Sequence, residues 1–472
     1  MKRFTEVGLL VIIVGCVLAF GGVQPLVYSL MELSTFVLIL VLLVYQSRRG
    51  KIDIPFPVIV LPLLFFVVLQ LVPLPASVVT LLSPWRAMNV AGLISRGSNA
   101  TWTTLSIYPH DTEVALLKLL AYCCAFVLAA YSFDWNRKGN ILIRGLILLG
   151  CIEAVYGIVQ YLTGFQKIFT YSKRFYTEEA TGTYINRNHF AGLLELTLPL
   201  VIASAFYSYQ ITSESRRSRQ ARRSNTGSSS ARYQAVFYLF LAVVMAVALV
   251  FSRSRMGTLA AVVSIVLLGL LAQVRVRRKA WALGILLFLA CIVGYGLWIG
   301  LDPVLARFER IGEPGYLEME GRLSIWRDGL RLISSYPLTG TGLGTFGVAF
   351  RRFQGSLVEY YVDHAHNDYL ELTAELGVFG VALLLIPVFY LWGRMVVKFF
   401  GASGRYHRSV LLGCVGSICA MLIHTGADFN LQLPANALIF SVLLGIGYKA
   451  SRVESTEQRS DLARESSARK AA

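Results

Sequence analysis

Charge is what this chain has least of. Only 15% of its 472 residues are charged, while 56% are hydrophobic and mean hydropathy is +0.60. That balance excludes a soluble globule, and the apolar residues fall into runs near the ~20 residues needed to cross a bilayer. Cysteine is also scarce. Cys16, Cys123, Cys124, Cys151, Cys291, Cys414 and Cys419 all lie inside apolar runs, which leaves them packing roles rather than a disulfide framework or a thiolate metal site. There is no P-loop and no Gly-rich dinucleotide fingerprint, so nothing points to ATP hydrolysis or a nicotinamide cofactor. No repeat of roughly 20 to 50 residues occurs either.

What is present reads as an all-α polytopic membrane protein of about twelve transmembrane helices. Spans are expected near residues 7–20, 28–45, 55–72, 114–132, 141–163, 190–208, 236–251, 257–273, 281–300, 372–393, 409–425 and 434–449. The first two read as an uncleaved hairpin, because Gly21, Gly22 and Pro25 lead straight into the second span. The organisation expected is an N-terminal set of four helices over 1–139, a catalytic region over 140–450 with a long outer loop at 301–371, and a disordered tail at 451–472.

The net charge of +17 is mostly topological. Short loops rich in Lys and Arg stay in the cytoplasm, and Arg48, Arg49, Lys51, Arg137, Lys138, Arg275, Arg277, Arg278 and Lys279 mark such loops. Ser213 to Arg232, rich in Ser and Arg, reads as a flexible linker on the same side. Both termini then fall inside, and the outer loops are 73–113, 164–189, 252–256, 301–371 and 426–433. These basic residues are scattered over short loops with no aromatic-rich soluble domain to present them, so nucleic acid is not a partner.

Against this pattern Arg253 and Arg255, in Ser252-Arg253-Ser254-Arg255-Met256-Gly257, lie between two apolar runs on the outer face. Charged groups at a membrane span usually face a protein interior or a water-filled cavity and mark a substrate site. Snorkelling to lipid head groups accounts for one arginine more easily than for two. Three further elements reach the same face. One is Gly182 to Gly192, with Asn186, Arg187, Asn188 and His189. Another is Gly321 to Ile333, where Leu323, Trp326, Leu330 and Ile333 recur at helical spacing ahead of Pro337 and a turn with Gly340, Gly342 and Gly344. That pattern predicts an amphipathic helix over the membrane mouth, carrying Arg322 and, on a solvated face, Arg327 and Arg331. The last is His364-Ala365-His366-Asn367-Asp368-Tyr369, in which Asn367 is placed to cap the tenth span.

Several arginines at one mouth suit a pyrophosphate, because the guanidinium stays charged and binds phosphate oxygens bidentately. A histidine beside them suits a general base for a sugar hydroxyl. The bland account of His366 is a helix-cap neighbour satisfied by backbone or by Asp368. Glu153 and Glu195 inside spans read equally as functional groups or as helix-to-helix polar contacts, and Glu32 reads as interfacial.

These motifs together resemble the O-antigen ligase and O-antigen polymerase superfamily of bacterial membrane glycosyltransferases. The resemblance rests on Gly182 to Gly192, Ser252 to Gly257, Gly321 to Trp326 with Pro337 and Gly340, and His366 to Leu370 followed by Glu375 and Gly377. It implies a GT-C-type fold in the bacterial inner membrane, acting at the periplasmic face without a metal or other cofactor. The implied donor is a glycan on undecaprenyl pyrophosphate, and the acceptor is lipid A core for a ligase or a lipid-linked repeat unit for a polymerase. It implies His366 as base and Arg187, Arg253, Arg255 and Arg322 as pyrophosphate ligands, with Asn186, Asn188, His364, Asn367 and Tyr369 accessory. His364 and His189 leave the choice of base open. A transporter or flippase for a lipid-linked glycan is the alternative from another class.

Overall fold

The computed structural model describes residues 1–50, 55, 57–88, 101–134, 139–215, 225–276, 294, 317–355, 361–402 and 404–452. The expected ninth span, most of the basic loop at 275–279, part of the Ser/Arg linker and the tail lie outside the described residues. In chain order the described helices begin with α1 (Lys2–Leu18), α2 (Pro25–Ser47), α3 (Leu61–Leu71), α4 (Ala76–Leu82), α5 (Pro109–Ser132), α6 (Ile141–Thr163) and α7 (Arg187–Ser215). They continue with α8 (Asn225–Phe251), α9 (Arg255–Val276), α10 (Leu317–Ser335), α11 (Phe346–Phe350), α12 (Asp368–Gly401), α13 (Arg405–His424) and α14 (Pro434–Ser451). Two small antiparallel pairs, Leu74–Pro75 with Trp102–Thr103 and Lys167–Ile168 with Tyr171–Ser172, stitch the loops.

Among the described residues eight helices are long and apolar enough to cross a membrane: α2, α5, α6, α7, α8, α9, α12 and α13. The chain is a multi-pass membrane protein. Burial sorts these helices into layers. The apolar window of α7 is 83% buried and that of α13 72%, whereas those of α2 and α8 are 28% buried. The first two form the centre of the bundle, and the last two turn most of their apolar surface outward. Ser409 and Ser417 on α13 bind the α7 carbonyls of Ala203 and Leu196, both at 2.7 Å, and lock this central pair. The expected hairpin between the first two spans is present, with Gly21 and Gly22 at positive φ between α1 and α2. Glu32, near the start of α2, is buried.

The tenth expected span is interrupted in a way that organises the outer end. α12 breaks at Gly377, whose φ is +63°. The carbonyls freed above the break are taken by the Gly-rich turn: Thr341 N–H donates to Ala374 O at 3.0 Å and Gly342 N–H to Glu375 O at 2.9 Å, while below it Val378 N–H donates to Pro337 O at 2.9 Å. Gln70 of α3 reaches the same place, with Nε2 2.8 Å from Thr339 O and 3.0 Å from Glu375 O. Such pairing is required, since an unsatisfied backbone group in a membrane is costly. Gly340 sits at φ +68°, and a Cβ there would run into the Glu375 carbonyl. Gly340→Ala is therefore expected to destabilise the fold by about 2 kcal/mol or more, combining left-handed strain with the clash. A fall in melting temperature of the detergent-solubilised protein checks it.

The expected outer-loop helix exists as α10, but its buried face is not the predicted stripe. Leu323 and Leu330 are exposed, while Ile325, Asp328 and Leu332 are buried with Trp326 and Ile333 partly so. The reason is that α10 carries two apolar stripes. Ile325 and Leu332 face the small core made with Phe346, Phe350, Val362 and Ala374, and Trp326 and Ile333 pack against its edge. Asp328 is tolerated there because it accepts from Gly355 N–H at 3.0 Å and from Arg331 at 3.2 Å.

Candidate active site

The segment Asp363 to Asp368 is held from both sides. Trp326 Nε1 of α10 donates to Ala365 O at 2.9 Å, and Ala365 N–H donates to Glu371 Oε2 at 2.7 Å. Both backbone groups of Ala365 are thereby fixed, and His364 and His366 flank it. As the sequence predicts, Asn367 caps α12, its Oδ1 accepting from Leu370 N–H at 3.1 Å. His366 has φ +52° and Arg253 φ +53°. Left-handed backbone at a non-glycine residue costs about 1–2 kcal/mol, and such strain clusters at functional sites. Two of the four groups singled out in the sequence carry it.

The two histidines have different partners. His364 Nδ1 lies 2.8 Å from Glu371 Oε1, and its ring stacks on Phe429 at 4.3 Å. Burial pulls its pKa down, but the charge and hydrogen bond of Glu371, with Asp363 and Asp368 nearby, outweigh that and hold it at about 9. Raised above 6.5, this group gives the folded state stability that is complete below pH 6.5 and lost as pH rises through about 9. Melting temperature is accordingly expected to fall more steeply between pH 6.5 and 9 in wild type than in Glu371→Gln, which a melting series in pH checks.

His366 faces Asp428. Its Nδ1 is 3.5 Å from Asp428 Oδ1, an ion-pair separation rather than a hydrogen bond. The bland partner Asp368 is not used: its Oδ2 accepts from Leu431 N–H at 2.9 Å, and its N–H donates to Thr425 O and Asp428 O. Asp428 is 1% exposed. It accepts from Asn188 Nδ2 and from Phe429 N–H. Burial works against ionisation, yet the His366 contact and the surrounding histidines hold its carboxyl well below the usual carboxylate range. His366 Nδ1 is buried against Asp428.

Phe429 forms the hub of this cluster, with the rings of His189, His364 and His366 at 4.6, 4.3 and 4.9 Å. Asn186 Oδ1 accepts from Asn188 N–H at 2.8 Å and shapes the start of α7. Tyr369 donates to Leu422 O at 2.5 Å, tying α12 to α13. Glu153 accepts both the N–H and the hydroxyl of Thr183 at 2.9 Å, and Glu195 pairs with His424 at 2.8 Å, so both serve as polar contacts inside the bundle.

The arginines are distributed unevenly. Arg187 Nη1 is 2.7 Å from Glu179 Oε1 and its guanidinium lies over Tyr176 at 5.3 Å. Arg253 repeats the pattern with Glu178 at 3.4 Å and Tyr161 at 5.9 Å. Adjacent glutamates thus hold the two groups at one place, and Asn188, the next residue after Arg187, connects that place to Asp428. Arg255 is exposed at the start of α9. Arg322 donates to Ala427 O at 3.1 Å, against the loop that carries Asp428.

Sequence reasoning missed Asp428, Phe429, Glu371 and the Glu178–Glu179 pair. The available signal was position: Asp428 is an acid in a short loop between two spans, on the face where the arginines gather. Among the described residues no group of acids, histidines and cysteines is arranged to hold a metal ion.

Compared with known proteins, residues 240–385 match the family model described as O-antigen ligase, in agreement with the resemblance carried by the motifs. The match includes Arg253, Arg255, Arg322, His364 and His366, and stops short of Arg187 on one side and Asp428 on the other. Neither a search of curated proteins nor one of solved structures gave a match.

Proposed function

We propose, from the O-antigen ligase match of residues 240–385 and the His366–Asp428 pair beside two arginines, that this protein is a periplasmic-face, metal-independent inverting glycosyltransferase. It moves a glycan from undecaprenyl pyrophosphate to a sugar hydroxyl, most simply on lipid A core, in a GT-C-type fold of the inner membrane with both termini cytoplasmic. The observation that carries the reading is the arrangement of a strained, partly exposed histidine against a buried carboxylate, in a loop that Asn188, the neighbour of Arg187, and Arg322 both reach.

His366 Nε2 takes the proton of the acceptor hydroxyl as its oxygen attacks the anomeric carbon. Asp428 orients the ring and stabilises the imidazolium that forms. The bond to the pyrophosphate oxygen breaks on the opposite face, which inverts the anomeric centre. Arg187 and Arg253, with Arg255, receive the charge that develops on the leaving pyrophosphate, while Arg322 braces the Asp428 loop. Arginine charge does here what a divalent cation does elsewhere, so turnover is expected to persist in EDTA.

The test is purified protein in proteoliposomes with lipid-pyrophosphate donor, lipid A core and EDTA. A new glycosidic bond supports the reading. Translocation of the donor without one would establish a transporter instead. In a deletion strain of the host, long polymer accumulating on undecaprenyl pyrophosphate with uncapped core marks a ligase. Core capped with a single repeat unit marks a polymerase.

A further inference from the structure

A cavity of about 690 Å³ lies between α2, α3, α5, α12 and α14, within the ~300–1,000 Å³ of ligand pockets. Its polar end carries Asp111, Asp363, His364 and Glu371, and Phe429 forms part of the same wall. Its other end runs down between membrane helices and is lined by Phe126, Leu384, Leu391 and Leu444. Its polar end, which His189 also lines, meets the site at Phe429, whose ring contacts His366 as well.

The charge lining this cavity is the reverse of that around the arginines. Arg187, Arg253, Arg255 and Arg322 do not line it, whereas Asp111, Asp363, Glu371 and Glu375 do. A pyrophosphate placed at its polar end would face like charge in a low dielectric. Among the described residues the one lysine in the lining is Lys118, whose Nζ lies 4.0 Å over the Tyr28 ring. Lys118 is nine residues into α5, ~13 Å along the helix from its start. An ionisable group at that depth facing a cavity is a site by default, and the catalytic scheme above does not use it.

We infer that this cavity is the acceptor site, and that it takes a lipid-anchored glycan. The hydrocarbon chain fills the apolar depth, Lys118 binds the polar junction between chain and head, and the uncharged sugar reaches His366 past Phe429. The inference rests on the glycosyltransferase reading and adds a division of labour to it. The donor's pyrophosphate stays on the arginine side, and the acceptor approaches from the other side of Phe429. The α2, α3 and α5 walls fall outside the region matched to the ligase family, so selection of the acceptor lipid is assigned to the N-terminal third of the chain.

The test compares Lys118→Met and Ala437→Trp, the latter filling the cavity from α14, with wild type in proteoliposomes. Acceptor arms use lipid A core and the same core glycan released from lipid. Each variant is expected to raise KM for the lipid-anchored acceptor about 10-fold, the equivalent of two methylenes of lost burial. Donor KM should be unchanged, and the released glycan should react equally with all three proteins. A rise in donor KM instead, or no change in either variant, overturns the assignment. If Ala437→Trp fails to fold, Lys118→Met decides alone. Native mass spectrometry of each lipid on wild type and Lys118→Met reads occupancy without turnover. Selective loss of acceptor lipid there, with no glycosidic bond formed by wild type, would leave the cavity assignment standing and sink the glycosyltransferase reading.

Discussion

Asp428→Asn is expected to lower kcat by about 10²- to 10⁴-fold, close to the loss in His366→Ala. The asparagine keeps the volume and one acceptor oxygen. It loses the negative charge that offsets the imidazolium, and its amide can present a hydrogen where His366 Nδ1 needs an acceptor. Asn188, whose Nδ2 donates to the carboxylate, would then pair with a weaker acceptor, and the loop from Thr425 to Leu431 would lose part of its anchoring. Because the two residues act as a unit, the double variant His366→Ala/Asp428→Asn should be no slower than His366→Ala alone. Single-turnover rates with the lipid-linked donor measure this. Full additivity would mean that Asp428 acts elsewhere, as a fold determinant.

Arg187→Ala and Arg253→Ala are each expected to reduce kcat/KM by about 10²- to 10³-fold, the usual consequence of removing one group that stabilises developing negative charge. Lysine at either position should recover little, since it offers a point charge where two phosphate oxygens need a planar fork. These arginines are engaged with Glu179 and Glu178, so on this proposal the donor would displace a carboxylate on binding. Glu179→Gln is therefore expected to lower KM for the donor, because the amide competes less well than the carboxylate it replaces. Donor-concentration series at saturating acceptor check both outcomes. An unchanged kcat/KM in Arg187→Ala would leave the pyrophosphate to Arg253 and Arg255.

Much of the candidate site is legible in the sequence because charge is conspicuous in an apolar chain. Arg187, Arg253, His364 and His366 stand out for that reason, and Asn367 announces a helix start by residue type alone. The glycines at 340 and 377 stand out as motif positions, but their purpose does not. Only the structure shows that they let the turn at 339–344 enter the break in α12, where Gln70 joins them from another helix.

Asp428 and Phe429 are illegible for a different reason. One acid and one aromatic in a short loop have no periodicity and no motif, and their meaning comes from residues 62 and more than 200 positions away that fold against them. The same applies to α10, where helical spacing permits two apolar stripes and only packing selects Ile325 and Leu332 over Leu323 and Leu330. The sequence by itself determined a multi-pass helical protein with cationic and histidine-bearing loops, because hydropathy and charge are local properties. Tertiary structure decided which carboxylate each histidine meets, Glu371 for His364 and Asp428 for His366. Those depend on distances of 2.8 and 3.5 Å between atoms on different elements, and a proton's affinity is set by what lies within that range.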